Sequence, residues 1–194
     1  MLVVLAGQTA SGKDSIARSL ISDYGYKRVV SHTTRPMRVD EKEGVDYYYH
    51  KSINEAKNKF NTKTYHTVSG DWHYWFEYED IKSAIESDET YLTIADVDGA
   101  LALSDVGANI IYIYVPLDIR MKRYYERESK NKNPDYKEVL RRLISDSKDF
   151  KEFEEAAISD NVYNYVCNYK HSIEKTVDMV DRHIKNELIN SFTG

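Results

Sequence analysis

The sequence has little cysteine, no long apolar run and no excess of positive charge. Cys167 is the single cysteine, so the chain forms no internal disulfide, as expected in the reducing cytoplasm. No window is long and apolar enough for a membrane span, and residues 1–6 are too short and uncharged for a signal peptide. The net charge of −5 disfavours a general nucleic-acid coat protein. We therefore expect a cytoplasmic protein with no membrane or nucleic-acid partner.

The composition itself is that of an ordinary globular enzyme. The 194 residues are 41% hydrophobic and 30% charged, which suffices for one domain with its own core. The sequence has no repeats, low-complexity runs or linkers. Because the net charge is negative, any phosphate binding must come from local clusters of arginine and lysine.

The first stretch with recognisable chemistry is residues 2–15, where four apolar residues lead into the segment GQTASGKDS. A strand, the pattern Gly-x-x-x-x-Gly-Lys and then a helix are typical of a phosphate-binding P-loop. Gly7 and Gly12 let the backbone point several N–H groups at one place, and Lys13 reaches the outer phosphates. We therefore predict a nucleoside triphosphate site rather than a simple glycine turn. The expected ATP-binding residues of this loop are Gly7, Gln8, Thr9, Ala10, Ser11, Gly12, Lys13, Asp14 and Ser15.

Asp14 departs from the usual motif, in which a serine or threonine after the lysine holds Mg²⁺. A carboxylate also binds Mg²⁺ directly, but it adds negative charge close to the ATP phosphates. Ser15 supplies a hydroxyl one residue later, so Asp14 and Ser15 are both candidates for the metal. Mg²⁺ is the cofactor that we expect, bound together with ATP as co-substrate.

Residues 31–47 form a polar loop with two arginines three residues apart. Pro36 disfavours a helix through this stretch. Arg35 and Arg38 offer planar guanidinium groups to a phosphate. Alternatively, they pair with the acids at positions 40, 41 and 43 in a solvated loop. The residues alone leave both interpretations open.

Together, the P-loop and this second loop resemble the guanylate kinase family. The substrate loop of that family has the pattern S-x-T-T-R-x-x-R-x-x-E-x-x-G-x-x-Y. The matching residues are Ser31, Thr33, Thr34, Arg35, Arg38, Glu41, Gly44 and Tyr47. The resemblance implies that Ser31, both arginines and Tyr47 hold the phosphate of a nucleoside monophosphate, with Glu41 beside them as a positioning acid.

A hairpin rich in aromatic residues is predicted over residues 63–78, with its turn at Gly70. The corresponding part of a guanylate kinase encloses the guanine base. Thr64 stands where that family has a glutamate, and the serine or threonine that reads guanine is missing. Tyr74 is expected to bind the monophosphate, with His73 as the other candidate one residue away.

The strand predicted over residues 90–97 is followed by two acids, Asp96 and Asp98. Acids at the carboxyl end of a strand beside the P-loop strand lie where substrate and metal meet. The guanylate kinase family has D-x-D there; Asp96 matches the second acid, and Ile94 takes the place of the first. We expect Asp96 to contact the monophosphate or to order Mg²⁺-bound water, and Asp98 to cap a surface helix.

Arginines flank a helix break at residues 131–134. A flap with arginines at its hinges suits phosphoryl transfer, because cationic groups that close over the moving phosphoryl group stabilise its charge and exclude water. The resemblance extends here, since guanylate kinases have R-x-x-x-R before the flap and an arginine in R-L after it. The predicted catalytic residues are Lys13, Arg123, Arg127 and Arg142. Arg141 is interpreted as part of a charged helix face.

Asn168, near the end of the last predicted strand, matches a family asparagine that lies beside the adenine of ATP. Two further local predictions concern helices. A short helix is predicted over residues 52–60, capped by Ser52, and one long helix from Asp135 to about residue 158.

The order of predicted elements gives an α/β fold. We expect a P-loop NTPase core with a mainly parallel sheet, an inserted nucleoside-monophosphate-binding subdomain and a helical lid. The predicted boundaries within a single domain of residues 1–194 are a core at 1–30, 89–119 and 146–194, a substrate-binding subdomain at about 31–88 and a lid at about 120–145.

The resemblance implies transfer of the γ-phosphoryl group of Mg-ATP to a nucleoside monophosphate, most closely GMP or dGMP. Three alternatives stay open. The GKDS segment is also similar to that of ribose 1,5-bisphosphate phosphokinases, and the missing guanine-reading residues leave room for a nucleotide kinase of altered specificity. In addition, some guanylate-kinase-like domains are non-catalytic modules that bind a phosphopeptide. The partners expected are the two small-molecule substrates, with the chain acting as a monomer or a homodimer.

Overall fold

The P-loop strand, β1 (Leu2–Ala6), is the middle strand of a five-stranded parallel sheet. The computed structural model describes residues 1–37, 41–67, 70–159 and 164–193. From one edge to the other, this sheet contains β2 (Lys27–Arg28), β7 (Tyr91–Ala95), β1, β8 (Asn109–Tyr114) and β9 (Asn164–Cys167). The predicted α/β fold with a mainly parallel sheet is confirmed.

A second, four-stranded sheet is formed between β2 and β7 in the sequence. Its order is β4 (Tyr48–Tyr49), β3 (His32–Thr33), β6 (Gly70–Glu77) and β5 (Lys59–Thr67). β5 and β6 form a long antiparallel hairpin, whereas β3 and β4 pair in parallel. The sheet lies within the range predicted for the substrate-binding subdomain.

Helices cover both faces of the parallel sheet because the side chains of β1 alternate between two apolar clusters. α1 (Lys13–Tyr24) and α7 (Ile173–Thr193) cover one face, and α2 (Tyr78–Glu86), α3 (Val97–Asp105) and α6 (Lys151–Ser159) cover the other. The first cluster contains Val3, Leu5, Ile16, Leu20, Val177 and Val180. The second contains Leu2, Val4, Ile81, Ala84, Ala100, Leu103 and Phe153.

α4 (Leu117–Glu128) and α5 (Tyr136–Asp149) pack on each other at the edge of the P-loop. Tyr124, Val139 and Leu143 form a small buried cluster between them, and Ala10 of the loop packs against it. The two helices therefore contact the loop directly. Among the described residues, no helix has both the length and the apolar character needed to cross a bilayer.

The helix predicted over residues 52–60 is wrong in extent. Ser52 does cap a helical turn, through a capping box with Glu55, but this 3₁₀ turn spans only Ile53–Glu55. The chain then enters β5, because the amides of Lys57 and Asn58 donate to the Glu77 carboxylate at 3.2 and 2.7 Å. These bonds hold the segment next to β6 rather than in a helix.

The single long helix predicted after Asp135 is also wrong, because the chain forms two helices that meet at Phe150. Phe150 ends α5, and its side chain is buried with Phe153 and Tyr112. α5 contacts the P-loop through Asp146, whereas α6 packs Phe153 against the sheet and reaches Gln8 of the loop through Glu154. The stop therefore depends on tertiary packing and not on a local breaking residue.

Candidate functional site

One cleft lies where the P-loop, the β5–β6 hairpin and α5 meet, and it encloses about 1040 Å³, including the part open to solvent. Side chains from both predicted binding sites and from the predicted lid line it. They are Gly7, Thr9 and Lys13 of the loop, Ser31, Tyr47, Tyr74 and Asp96 of the predicted monophosphate site, and Arg142 of α5. The fold therefore brings these predicted groups to one cavity.

The P-loop conformation depends on its two glycines. Gly12 has φ +88°, and a Cβ there would lie 2.4 Å from the side-chain amide nitrogen, Nδ2, of Asn168. A Cβ on Gly7 would lie 2.7 Å from Ser11 Oγ and 2.9 Å from the Ile113 carbonyl oxygen. Neither position has room for a side chain, and Gly12 also needs a φ that glycine alone adopts freely.

Asn168 and Arg123 support the loop from beneath. The buried Asn168 donates from Nδ2 to the Ser11 carbonyl at 2.7 Å, and its own carbonyl accepts from Arg123 Nη2 at 2.7 Å. Arg123 Nη1 donates to the Ala10 carbonyl at 3.4 Å, and burial lowers the pKa of Arg123. Asn168 is predicted to lie beside the adenine of ATP and Arg123 to be catalytic, whereas the contacts that they make here are with backbone carbonyls of the loop and with each other.

Asp146, which the sequence interpretation missed, contacts the loop from α5. Its carboxylate accepts a hydrogen bond from the Thr9 amide, and its side chain lines the cleft. The N–H groups of a P-loop are directed at an anion, so Asp146 competes with a phosphate group for this donor. The available signal was its spacing, since Asp146 follows Arg142 by four residues on the same helix face.

Asp14 is exposed in the first turn of α1, directly after Lys13. Burial raises the pKa of Tyr47, and the charge of Asp14 raises it further. No group of three or more histidines, cysteines or acids that could hold a metal is found in the described part of the chain. A carboxylate oxygen at Asp14 nevertheless suits a Mg²⁺ ion that takes its other ligands from phosphates and water.

Arg35 is buried behind the tyrosines that line the cleft, with a side chain only 4% exposed. Its Nη2 donates to both carboxylate oxygens of Glu41, at 2.7 and 2.9 Å, and its Nε donates to Tyr74 Oη at 3.0 Å. Burial opposes the charge of Arg35, but the bond to Glu41 holds the pKa of Arg35 above its ordinary value. Its guanidinium also lies over the ring of Tyr47, 5.3 Å from the centroid.

These contacts give the predicted monophosphate site an Arg35–Glu41 ion pair with aromatic walls, so for Arg35 the alternative of pairing with an acid of its own loop is the one observed. Glu41, expected to be a positioning acid, holds Arg35 and also accepts from Tyr49 Oη at 2.7 Å. Ser31 lies in the cleft next to these tyrosines. Arg38 lies outside the described residues.

Asp46 fixes the substrate loop to the core. Its carboxylate accepts from Arg18 Nη2 on α1 and from the Lys42 amide, both at 2.9 Å. Burial raises the pKa of Asp46, but these two hydrogen bonds outweigh it and hold the pKa below its ordinary value. The acceptor loop is thus tied to the helix that begins at Lys13.

The arginines of α4 and α5 separate into two groups. Arg142 and Arg141 both line the cleft, and Glu138 binds both, with Arg142 Nε donating at 2.8 Å and Arg141 Nε at 2.7 Å. The Arg141 hydrogen bond lowers the pKa of Glu138 to about 2. Arg127 instead is exposed and lies over the ring of Tyr124, 4.5 Å from its centroid. Of the three arginines that match the family pattern, Arg123, Arg127 and Arg142, only Arg142 lines the cleft.

The end of the cleft next to the β5–β6 hairpin and the start of α3, called the base end because the hairpin is predicted to enclose a base, differs from the predicted arrangement. Gly70 belongs to β6 rather than to a turn, and Tyr74 lies in the cleft while His73 pairs with Thr64 across the hairpin, at 2.9 Å. The position that matches the family glutamate is therefore turned to the other face. Lys63, which the sequence interpretation missed, enters the cleft instead.

The roles expected of Asp96 and Asp98 require one correction. Asp96 is the residue that caps α3, through a hydrogen bond from the Gly99 amide at 2.9 Å, and it also lines the cleft. Asp98 was expected to be the cap, but its carboxylate contacts the Lys63 ammonium. The cap falls on Asp96 because it is the last extended residue before the helix.

Comparisons with known proteins agree with this geometry. The guanylate kinase family model matches residues 1–187. The guanylate kinase of Clostridium acetobutylicum is 27% identical over 203 aligned positions, covering 100% of this chain and 94% of the relative. That of Coxiella burnetii is 26% identical, with 89% and 85% covered.

Solved structures show the same fold. The crystal structure of guanylate kinase from Anaplasma phagocytophilum superposes with a TM-score of 0.64 at 21% identity, covering 96% of this chain and 85% of that one. An uncharacterized protein from Eubacterium ventriosum gives a TM-score of 0.52 at 16% identity, with 96% and 98% covered. With a family model that spans nearly its whole length and a P-loop that faces an arginine–tyrosine site, this chain belongs to the guanylate kinase family.

Proposed function

We propose that the protein transfers the γ-phosphoryl group of Mg-ATP to a nucleoside monophosphate, with GMP or dGMP as the acceptor. The observation that carries this proposal is that Lys13, Tyr74 and Arg142 line one cleft. The P-loop around Lys13 and the predicted monophosphate site around Arg35 and Tyr74 then open into the same cleft. This suits direct transfer between two phosphorylated molecules. The cytoplasm, where both substrates occur, is the proposed location.

Each side of the cleft has a separate task in the proposed reaction. The loop amides and Lys13 hold the β- and γ-phosphates of ATP. Ser31, Tyr47, Tyr74 and Asp96 orient the acceptor, and Arg35 supplies the positive charge behind them. Arg38 is proposed to act with Arg35, as the family pattern implies. Asn168 and Arg123 keep the loop in its binding conformation through the backbone contacts described above.

In the proposed transfer, an oxygen of the acceptor phosphate forms a bond to the γ-phosphorus while the bond from that phosphorus to the ADP oxygen breaks. The acceptor phosphate is already an anion, so no general base is needed. Arg142 lies where negative charge develops on the transferring group and stabilises it. Asp14 would hold Mg²⁺ together with phosphate oxygens of ATP, and the bound ion neutralises phosphate charge.

ADP formation from Mg-ATP tests this proposal against a panel of acceptors: GMP, dGMP, AMP, UMP, dUMP, dTMP, CMP and ribose 1,5-bisphosphate. We expect ADP and the matching nucleoside diphosphate in equal amounts, with GMP or dGMP as the best acceptor. Turnover with ribose 1,5-bisphosphate alone would replace the acceptor by a sugar phosphate. Failure to bind ATP, together with silence across the panel, would favour a non-catalytic module.

A further inference from the structure

An ion pair that the proposed phosphoryl transfer does not use borders the base end of the cleft: Lys63 lines the cleft, and Asp98 lies beside it with a side chain that is 60% exposed. The ammonium of Lys63 on β5 contacts the carboxylate of Asp98 on α3. Asp96 Oδ2 lies 3.9 Å from the same ammonium. One cation and two carboxylates therefore meet where the hairpin approaches the N-terminus of α3, and Lys63 lines the cleft.

The register of the hairpin directs Lys63 toward a bound nucleotide. Lys63 lies opposite Tyr74, and Thr64 lies opposite His73. Directly opposite residues share a face of the sheet, so Lys63 lies beside the tyrosine whose hydroxyl accepts from Arg35 at 3.0 Å. A nucleotide with its phosphate near Arg35 and Tyr74 would place its base toward Lys63 and the start of α3.

The space around this ion pair is tightly built. A Cβ on Gly99 would lie 3.0 Å from Ala95 Cβ, 3.2 Å from Asp96 Oδ1 and 3.6 Å from Asn61 Nδ2. Asn61, which also lines the cleft, has φ +44°, a left-handed conformation that asparagine adopts more readily than most residues. A bulge between Phe60 and Lys63 accompanies it and turns the Lys63 side chain into the cleft.

The charges of Lys63, Asp98 and Asp96 favour binding of an uncharged nucleobase at this end of the cleft over binding of a second phosphate or other anionic group. Lys63 is countered by Asp98 and Asp96, and the charge of Asp149 adds to theirs, so the net charge around Lys63 is negative. Burial opposes the charge of Lys63, but Asp98 and Asp96 hold the pKa of Lys63 above its ordinary value, so the ammonium stays a donor. A ligand group here needs an acceptor for Lys63 and N–H donors for a carboxylate.

We propose that Lys63 and Asp98 read the base of the acceptor: Lys63 donates to O6 of guanine, and the Asp98 carboxylate accepts from N1–H and the 2-amino group. The assignment rests on the proposed function. Guanine presents a carbonyl oxygen beside two adjacent N–H donors, which match an ammonium beside a carboxylate with two oxygens. Adenine presents an amino donor where guanine has O6, and it would place this donor against the ammonium.

Analogues that lack hydrogen-bonding groups of guanine make the proposal testable. IMP lacks only the 2-amino group, whereas 2-aminopurine riboside monophosphate lacks O6 and also N1–H, because its N1 carries no proton. For the unaltered protein, we expect kcat/KM to fall about 10- to 100-fold with 2-aminopurine riboside monophosphate and by a smaller factor with IMP, since hydrogen bonds to charged groups are of that strength. Binding without ATP, followed by the fluorescence of the buried cleft residue Trp75, gives a second readout.

Two variants complete the design. Lys63→Met should lower kcat/KM for GMP by no more than the loss that the unaltered protein shows with 2-aminopurine riboside monophosphate, which also lacks N1–H. The same variant should change kcat/KM for that analogue little, because the analogue has no O6 for Lys63 to bind. Asp98→Asn should lower kcat/KM for GMP and should lower kcat/KM for IMP by a smaller factor. Lys59→Met, at an exposed lysine on the same strand, is the matched control and should leave all acceptors unchanged.

A purely structural ion pair predicts a different pattern. The proposal that Lys63 and Asp98 read the base would be wrong if Lys63→Met lowered kcat/KM equally for all acceptors. It would also be wrong if the Lys63→Asp, Asp98→Lys double variant, which exchanges the two charges, restored GMP binding. GMP binding with this analogue pattern but no turnover would overturn the proposed transfer and leave the base-reading proposal intact. If Lys63→Met still turned over GMP and kept the acceptor selectivity of the unaltered protein, the base-reading proposal would be overturned and the proposed transfer would stand.

Discussion

The two ends of the cleft follow the guanylate kinase pattern to different degrees. At the donor end, two glycines without room for a side chain fix the loop around Lys13. At the base end, the position that matches the family glutamate faces away, and Lys63 enters from the adjacent position. Phosphate binding constrains backbone geometry, which few residues satisfy, whereas a base can be read by any suitably placed donors and acceptors. The difference explains why the chain keeps one end and changes the other.

The largest effect on turnover is expected for a substitution of Arg142, which lines the cleft between the P-loop and the predicted acceptor site. Arg142→Met should lower kcat about 10²- to 10³-fold with little change in the affinity for ATP, because Arg142 meets charge that develops only during transfer. Arg127→Met is the matched control on α4, and its exposed side chain over Tyr124 should affect kcat less than about 3-fold. Steady-state kinetics with both substrates measure this. Equal losses in the two variants would show that Arg142 has no special place in the cleft.

Gly12→Ala should act on the donor end alone. The Cβ would overlap the side-chain amide of Asn168 and shift the loop, so its backbone N–H groups would no longer point at one place. ATP affinity should therefore fall about 100-fold. Titration calorimetry should find GMP binding unchanged. Gly107→Ala is the control, since Gly107 has φ +100° but nothing within 4 Å of a Cβ. It should cost about 1 kcal/mol of stability and leave ATP affinity intact. A loss of GMP binding in Gly12→Ala would mean that the two ends are not independent.

Asp146→Asn should raise the affinity for ATP about 3- to 10-fold, because a negative charge at the Thr9 amide no longer opposes the phosphates. GMP affinity should stay the same. Asp149→Asn removes an equal charge three residues later, where the side chain is exposed and accepts from Ser145, and it serves as the control. Weaker ATP binding in Asp146→Asn would instead make Asp146 part of the binding site.

The smallest effect is expected for Asp14→Ser, which restores the residue type that the P-loop motif usually has. The concentration of Mg²⁺ needed for half-maximal rate should rise about 2- to 5-fold, because a hydroxyl is a weaker ligand than a carboxylate. A titration of the rate with Mg²⁺ measures the shift, and a curve identical to that of the unaltered protein would leave Ser15 as the better candidate for the metal.

The parts that the sequence predicts well are those fixed by local geometry. The strand, loop and helix around Gly7 and Gly12 follow from glycine conformations and apolar patterning alone. The fold class follows from the order of such elements. Arg35 and Tyr74 were reached through motif spacing, although Arg35 proves to be buried behind the tyrosines rather than exposed on a loop.

The remaining features depend on packing over long sequence distances. Lys63 rather than Thr64 enters the cleft because of the register of one hairpin, and a shift of one residue reverses every side chain. Asp146 meets Thr9 only because α5 stops at Phe150 and lies against the loop. The spacing of Asp146 from Arg142 indicates a shared helix face but not the contact with Thr9, and nothing in the local sequence fixes the register that brings Lys63 into the cleft.

Binding of a bisubstrate analogue tests most directly whether the donor and acceptor ends face each other. Adenosine and guanosine joined by five phosphates should bind at least about 100-fold more tightly than ATP, because one molecule fills both ends and the second binding event becomes intramolecular. Both ATP and GMP should then displace it. An affinity no higher than that of ATP, with no displacement by GMP, would contradict direct transfer across a single cleft.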